Sequence, residues 1–483
     1  MRKIKITLFI VVVIALFTTT TLLLQKAENL KTCIVTGDVK QNVLLEDLEV
    51  DLYNKINMDK DRVEAILVHD IIQQSQPLSD EFSVLFVGHD GLFAQLNGNE
   101  LKDCYIIKSK GRWDIKAPNH PVNANIKDLK EIIVVDESGE LEIGINIISQ
   151  EKNIFHTTPG NLMLEELTYY PYLDGETNIN GENSISLYKY KKVIALKDII
   201  TEEEVKTILV MGKNGEYEYF TEPGYLELSK NAINYMEPQN RDIIQDIAGV
   251  IINPPSSSIM DTYEDSLYYL GKNEKVMVIY VDGFGYHQYK YAKENNKIPF
   301  IENMGEALRV NTVYKPVTNA GYAAMVTGQP PIKNGVVDRS FREPKVNTIF
   351  DELKDKNHVL IESNGSILSL NTETIFSIDN NDNGTTDDEI FENTIIQLQE
   401  NKDLDFILVH FHGLDDAGHQ FGDLDERTIE VLIKTDQYIE KIVDKWDGKV
   451  ILVSDHGMHS SGEQGNHGDF RYEDMFVPYI IKN

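Results

Sequence analysis

Three separated stretches of this chain share one design: a run of apolar, largely β-branched residues that stops abruptly at an acid or a glycine. KVMVIYVDGFG (Lys275 to Gly285), LDFILVHFHG (Leu404 to Gly413) and KVILVSDHG (Lys449 to Gly457) have it, and HVLIES (His358 to Ser363) reads as a companion. A strand that is apolar on both faces must be covered on both faces. These runs therefore predict a mixed, mostly parallel α/β sheet sandwiched by helices, one of them supplied by Thr428 to Lys445. In such sheets the first polar residues after each strand gather along the carboxyl edge. Here they are Asp282, Asp415 and the pair Asp455-His456.

With 483 residues the chain is too long for one small core, and two or three domains are expected. Lys plus Arg number 46 against 78 Asp plus Glu, a formal charge of -32, which repels nucleic acid backbones and argues against a nucleic acid scaffold role. At the start, Arg2, Lys3 and Lys5 lead into an apolar run from Ile4 to Leu24. Such a segment over residues 1–31 is expected to be a membrane anchor with a cytoplasmic N-terminus, or else a cleaved signal. Either reading makes this a membrane (transmembrane) or secreted protein with its body on the extracellular face. Two cysteines, Cys33 and Cys104, are free to pair in that compartment or to remain isolated buried thiols.

The middle of the chain reads as a duplication. LVHDII (Leu67 to Ile72) precedes SVLFVGHDGLFAQL (Ser83 to Leu96) and LKEIIVV (Leu129 to Val135). ALKDII (Ala195 to Ile200) precedes VKTILVMGKNGEYEYF (Val205 to Phe220) and IAGVII (Ile247 to Ile252). Each copy has an apolar strand, a turn at Gly88 or Gly212 and an alternating strand, a hairpin signature. Two small α+β repeat domains over residues 32–140 and 141–258 are expected ahead of a catalytic domain at 272–483. His89, Asp90 and Asn214 are read as turn formers.

Asp415 with His419 in LDDAGH, and Asp455 with His456, read as two halves of one two-metal site, to which Asp282 and Thr318 add an acid and a hydroxyl. Carboxylates and imidazoles hold paired cations, one of which lowers the pKa of an attacking hydroxyl. His467 in GEQGNHGD lies on a Gly-rich loop able to fold over the same edge.

From about residue 272 onward these motifs resemble the alkaline phosphatase superfamily, especially its nucleotide pyrophosphatase/phosphodiesterase and phosphonate hydrolase branches. The family's strand-ending acid matches Asp282 in VDGFG. Its nucleophile, ten residues before the glycine of a Thr-Gly pair, matches Thr318 in KPVTNAGYAAMVTG. Its D-x-x-G-H motif falls on Asp415 and His419, its Asp-His-Gly on Asp455 to Gly457, and its last histidine on His467. The resemblance implies one cation held by Asp415, His419 and His467, and another by Asp282, Asp455 and His456 with Thr318 beside it. Zn2+ is the preferred metal by that resemblance, with Mn2+ as the alternative.

The activity implied is hydrolysis of phosphate esters of a small phosphorylated substrate through a phosphothreonine intermediate. The alternatives are phosphodiesterase, nucleotide pyrophosphatase or phosphonate hydrolase action. A different class of reading, a non-catalytic cell-surface binding protein, is opposed by the retained nucleophile and ligand set. Asn319 is placed to donate to an equatorial oxygen. Arg339 stands where the nucleotide phosphodiesterases carry an asparagine, which shifts weight toward a monoester or phosphonate. His410, His412 and His459 are expected to support ligands, and Tyr286 and Tyr322 to line the substrate mouth. The acidic stretch Asp379 to Glu389 begins like a calcium loop, but its twelfth position is Ile390, and a solvated loop is expected.

Overall fold

A computed structural model describes residues 32–48, 54–58, 61–109, 111–179, 182–200, 204–229, 231–237 and 243–482. They fall into two compact units. One is built from residues up to 143 with 158–166 and 228–231; the other comprises 144–157, 167–227 and the chain from 232 onward.

In the first unit, Ile34–Gly37 runs parallel to Leu129–Asp136, which pairs antiparallel with Phe82–Gly88 and through it with Phe93–Asn97. One face packs Val84, Phe86, Ile132 and Val134 against Trp113. Asp38, just past the first strand, is buried and receives Thr158 Oγ1 at 2.7 Å and the Gly160 and Asp136 amides at 2.8 Å each. These bonds draw the Thr158–Glu166 segment into this unit, although the sequence reading places it in the second repeat. Cys33 and Cys104 are both buried free thiols, the second of the two arrangements the sequence leaves open.

In the second unit, Ile145–Ile148 runs parallel to Ile247–Ile252, which pairs antiparallel with Ile208–Gly212 and through it with Tyr217–Phe220. Its apolar residues Ile148, Leu209, Met211 and Ile251 pack on Phe470, Met475 and Phe476.

The same unit contains a seven-stranded sheet in the order Leu308–Asn311, Phe476–Lys482, Lys449–Val453, Val276–Val281, Phe406–Phe411, His358–Glu362, Thr374–Phe376. The last five are mutually parallel; Phe476–Lys482 runs antiparallel to them, and Leu308–Asn311 pairs antiparallel with it at the edge. The central strand shows why its sequence is apolar throughout. Val276, Val278 and Tyr280 enter one core, with Leu270 and Ala320 from the helices Asp261–Gly271 and Thr318–Thr327. Met277, Ile279 and Val281 enter another, with Ile390 and Leu398 of Asp387–Glu400 and Leu432 and Ile439 of Glu426–Val443. The strand alternates between two dry faces, as a period of two requires.

Among the described residues no helix is long and apolar enough to cross a membrane. The longest, Glu426–Val443, is amphipathic and carries charges along its length. This corrects the expectation of a transmembrane protein; residues 1–31, on which that expectation rests, lie outside the described residues.

Candidate metal centre

Every candidate ligand sits just past a strand end or on the segment that follows it. Asp282 follows Val276–Val281, Asp455 and His456 follow Lys449–Val453, and Asp415 and His419 lie one turn apart on Gly413–Phe421. Glycines allow the close approach. Gly283 has φ +70°, and a Cβ there would lie 2.8 Å from Asp415 Oδ1; a Cβ on Gly321 would lie 2.6 Å from the Asp455 carbonyl. The helix that begins at Thr318 can therefore press directly on the Asp455 turn.

Three histidines face inward with their rings fixed from behind. Nδ1 of His456 donates to Gly457 O at 2.9 Å, Nδ1 of His467 to Pro316 O at 2.9 Å, and Nδ1 of His419 to Gly465 O at 3.2 Å. With the proton held on Nδ1, His456 and His467 turn an Nε2 lone pair into the pocket, the usual preparation of a metal-binding imidazole, whereas His419, its pKa raised by the hydrogen bond to Asp415, turns Nε2 to that acid. His456 Nε2 lies 3.1 Å from Asp455 Oδ2 and 3.5 Å from Asp282 Oδ1. His419 and His467 present Nε2 to Asp415 at 3.4 and 3.7 Å. The rings of His456 and His467 stack with centroids 3.7 Å apart. Thr318 Oγ1 is 3.4 Å from His456 Nε2.

The structure thus brings Asp282, Thr318, Asp415, His419, Asp455, His456 and His467 into one pocket. Within these seven, two groups of ligand atoms lie within binding range of a single ion, Asp415 with His419 and His467, and Asp282 with Asp415 and His456; a further group joins Asp282 to His410 and His412. Asp415 belongs to the first two, so the two halves share an acid rather than forming separate triads.

Three carboxylate oxygens in this pocket, Asp282 Oδ1, Asp415 Oδ1 and Asp455 Oδ2, are buried and make no hydrogen bond. Buried polar atoms seldom stay unpartnered, and like charges this close repel. Burial, with Asp455 and Asp415 as neighbours, drives the Asp282 carboxyl well above its ordinary range; burial and Asp415 raise Asp455 to about 6. Burial pushes Asp415 up too, but the hydrogen bond from His419 and the surrounding imidazoles outweigh it and hold it low. Burial lowers His456 to about 4 and, with His456 as neighbour, His467 to about 3, so both are neutral near pH 7, the form that binds metal. Oxygen and nitrogen donors of this kind, with acids left unpaired, fit a pair of divalent cations.

Around this centre stand the supporting residues read from the sequence, joined by Glu362, which no motif announced. His410 Nε2 lies 3.1 Å from Asp282 Oδ2, its ring stacked on Tyr280 at 3.6 Å, and Glu362 Oε1 is 3.7 Å behind its Nδ1. Glu362 also ends a parallel strand of the sheet, and that position was its one available signal. His412 Nδ1 is 3.6 Å from the same Asp282 oxygen. His459 bridges Asp474 at 2.8 Å and Asp469 at 3.4 Å, tying the loop that carries His467 to the strand end. Arg339 donates to His467 Nε2 at 2.6 Å rather than pairing with Asp338, whose carboxylate receives Ser340 N. Asn319 lies beside Thr318, but its Nδ2 is engaged by Phe341 O at 2.9 Å, which leaves its backbone amide at the helix start. Tyr322 is not at a substrate mouth. It is fully buried among Tyr280 and His410, because the helix that starts at Thr318 is inside the protein on all sides.

Fold and ligand set together define an α/β domain of metallohydrolase type. Residues 276–377 and 370–475 match the family described as "Type I phosphodiesterase / nucleotide pyrophosphatase". A phosphodiesterase domain of the alkaline phosphatase superfamily occupies roughly residues 276–475. The chain is 34% identical over 115 residues to GPI ethanolamine phosphate transferase 3 of Saccharomyces cerevisiae, covering 23% of this chain and 11% of that protein. Similar solved structures include phosphonoacetate hydrolase from Sinorhizobium meliloti 1021 in complex with phosphonoformate (14% identity, 38% of this chain, 56% of that one, TM-score 0.33). Murine ectonucleotide pyrophosphatase / phosphodiesterase 5 is another (18% identity, 39% and 59%, TM-score 0.33). The chain thus spans about a tenth of the curated relative's length and less than two thirds of either solved chain.

Proposed function

We propose that this protein cleaves phosphate diesters or phosphonates at a two-cation centre, with Thr318 as the nucleophile. One observation carries the reading: the Thr318 hydroxyl stands 3.4 Å from His456 Nε2, at the amino end of a buried helix and among carboxylates that lack partners. The family match favours the diester over the monoester that Arg339 suggests in the sequence.

The chain's own groups account for much of the chemistry. Asp415, His419 and His467 would hold one cation; Asp282 and His456, with Asp455 beside them, would hold the other, and Asp415 would be shared between the two. Bound there, the cations supply Lewis acidity for the attacking hydroxyl and the leaving oxygen. Zinc suits these donors best, with manganese next. The helix amino end presents backbone N–H groups, including that of Asn319, to oxygens of the transferring phosphoryl group. Thr318 Oγ attacks phosphorus and forms phosphothreonine as the ester oxygen leaves. Arg339, now on His467 Nε2, is long enough to turn its fork onto two phosphoryl oxygens. Water then resolves the intermediate. An alcohol in place of water would make the same centre a transferase, a reading favoured by the ethanolamine phosphate transferase relative.

We also read residues 32–140 and 141–258 as two copies of one small α+β unit. In support, the two sheets share one strand order, and a bulge falls at Gly88 in one and Gly212 in the other. The next residue of each turn, His89 or Lys213, donates to an aspartate at positive φ, Asp128 or Asp246.

The catalytic reading is tested with zinc- and manganese-loaded protein on a phosphate monoester, a diester and a phosphonate ester, each with and without an added alcohol. Acid quenching during turnover should trap phosphate on Thr318. Turnover of none of the three, or turnover with no phosphoenzyme and no loss in Thr318→Ala, would overturn it.

A further inference from the structure

Asp379–Glu389 lies between the Thr374–Phe376 strand and the Asp387–Glu400 helix, apart from the metal ligands described above. It winds tightly. Asp379 Oδ1 accepts from Asn383 N at 3.1 Å and its Oδ2 from Gly384 N at 2.9 Å. Asn381 Oδ1 accepts from Asn383 N at 3.1 Å, and Asn383 Oδ1 from Thr385 N at 2.9 Å. Oxygen-bearing side chains at the first, third and fifth positions, with glycine at the sixth (φ +87°), are the makings of a hard-cation loop. Asx turns alone also form without any ion.

Glu389 separates the two cases. It is 7% exposed, and its Oε1 receives Asn380 N at 3.1 Å and Asn381 Nδ2 at 3.3 Å, so the carboxylate points into the loop. Its Oε2 is buried and makes no hydrogen bond, and neither does Asp388 Oδ1. Leaving buried acceptors bare is costly, and native proteins rarely do it. The twelfth position, where such loops place a bidentate acid, is Ile390, wholly committed to the core beneath the sheet. The first turn of the helix supplies its acids one and two residues earlier.

We propose that Asp379, Asn381, Asn383, Asp388 and Glu389 bind one calcium ion, at a site separate from the two-cation centre. All the donors are oxygen and three are carboxylates, a set that selects calcium over zinc. Asn381 and Asn383 each donate Nδ2 to Asp388 Oδ2 at 2.8 Å, and each Oδ1, which accepts one backbone N–H, keeps a second lone pair for the ion. Asp387, in the same helical turn, accepts from His412 N at 3.0 Å and Gly413 N at 3.1 Å, at the start of the helix that carries Asp415 and His419. Calcium therefore braces the platform of the catalytic ligands without touching them.

The test uses the full chain, stripped of metal, reloaded with stoichiometric zinc and titrated calorimetrically with calcium chloride and, separately, magnesium chloride. We expect one calcium per chain with a dissociation constant of about 1 mM or tighter, in the range of extracellular calcium modules. Asp379→Asn with Glu389→Gln should weaken it by about tenfold or more at unchanged zinc content, whereas His467→Ala should leave it intact. Should the double variant fail to fold, hydrogen exchange of the wild-type protein decides: calcium should slow exchange across residues 379–389. No saturable calcium uptake by wild type, no protection of that segment, or uptake lost only in His467→Ala would each overturn the proposal. Because heat of binding and exchange are read rather than turnover, failure of the catalytic reading would not be mistaken for failure here.

Discussion

Asp38 in the first unit and Asp282 at the edge of the seven-stranded sheet are buried to the same degree, 1% and 2% exposed. Asp38 has both carboxylate oxygens answered, Oδ2 by Thr158 Oγ1 and the Asp136 amide and Oδ1 by the Gly160 amide. Asp282 Oδ1 is bare, as are Asp415 Oδ1 and Asp455 Oδ2 around it. Burial raises the carboxyl pKa of both residues, so depth alone does not tell them apart. The count of donors does. A buried acid whose bonds are filled is holding a loop in place, and one whose bonds are empty is waiting for a cation.

The sharpest way to break that contrast is at the nucleophile. Thr318→Ala should lower turnover by on the order of 10³-fold or more while both metals stay bound, measured by steady-state kinetics beside elemental analysis. Asp38→Asn should leave turnover of the folded protein unchanged. Arg339→Ala should cost about 10²-fold, with a larger loss on a monoester than on a diester; equal losses would make the arginine a general anion clamp.

Metal removal addresses the bare oxygens themselves. Saturating zinc should raise the melting temperature of the wild-type protein, by about 2.7 kcal/mol of added stability at a hundredfold excess over Kd. Asp282→Asn should remove the part of that rise owed to its own cation and, metal-free, melt higher than metal-free wild type, because one like charge has left the cluster. A lower melting point for that metal-free variant would show that the aspartate is structural after all. His410→Ala should weaken zinc by about 10- to 100-fold, with activity recovered at high zinc, since His410 Nε2 bonds Asp282 Oδ2 and orients it. The mildest change is Asp38→Asn, which leaves one donor facing an amide NH₂. It should cost about 1–3 kcal/mol in denaturant unfolding, equally with and without zinc.

Much of the centre was legible because strand ends advertise themselves. Runs such as Val276–Val281 admit no polar residue, and the first one permitted, Asp282, falls at the edge where ligands collect. Asp415 and His419 declared themselves by helical spacing, one turn apart. Glu362 did not, since a lone acid after a strand has many structural uses, and His410 was read only as a supporting histidine, without its partner Asp282. The turn of Arg339 toward His467, the burial of Tyr322 and the carbonyls of Pro316, Gly457 and Gly465 behind the imidazoles were equally silent. Each depends on where a neighbouring segment passes, and local pattern holds no record of that. In the loop before Glu389 the twelve-residue spacing is broken in sequence, and only the fold shows the helix turning a different acid inward.

By itself, the order of residues determined which segments must be dry strands and where their first charges fall, because burial on two faces excludes polar side chains and a period of two leaves no freedom. Tertiary structure alone decided which of the buried acids keep their lone pairs empty. Hydrogen-bond donors reach an acid from segments a hundred or more residues away, and only the packed chain shows whether one arrives at each oxygen, as Thr158 does at Asp38 Oδ2 and His410 at Asp282 Oδ2, or none does, as at Asp282 Oδ1.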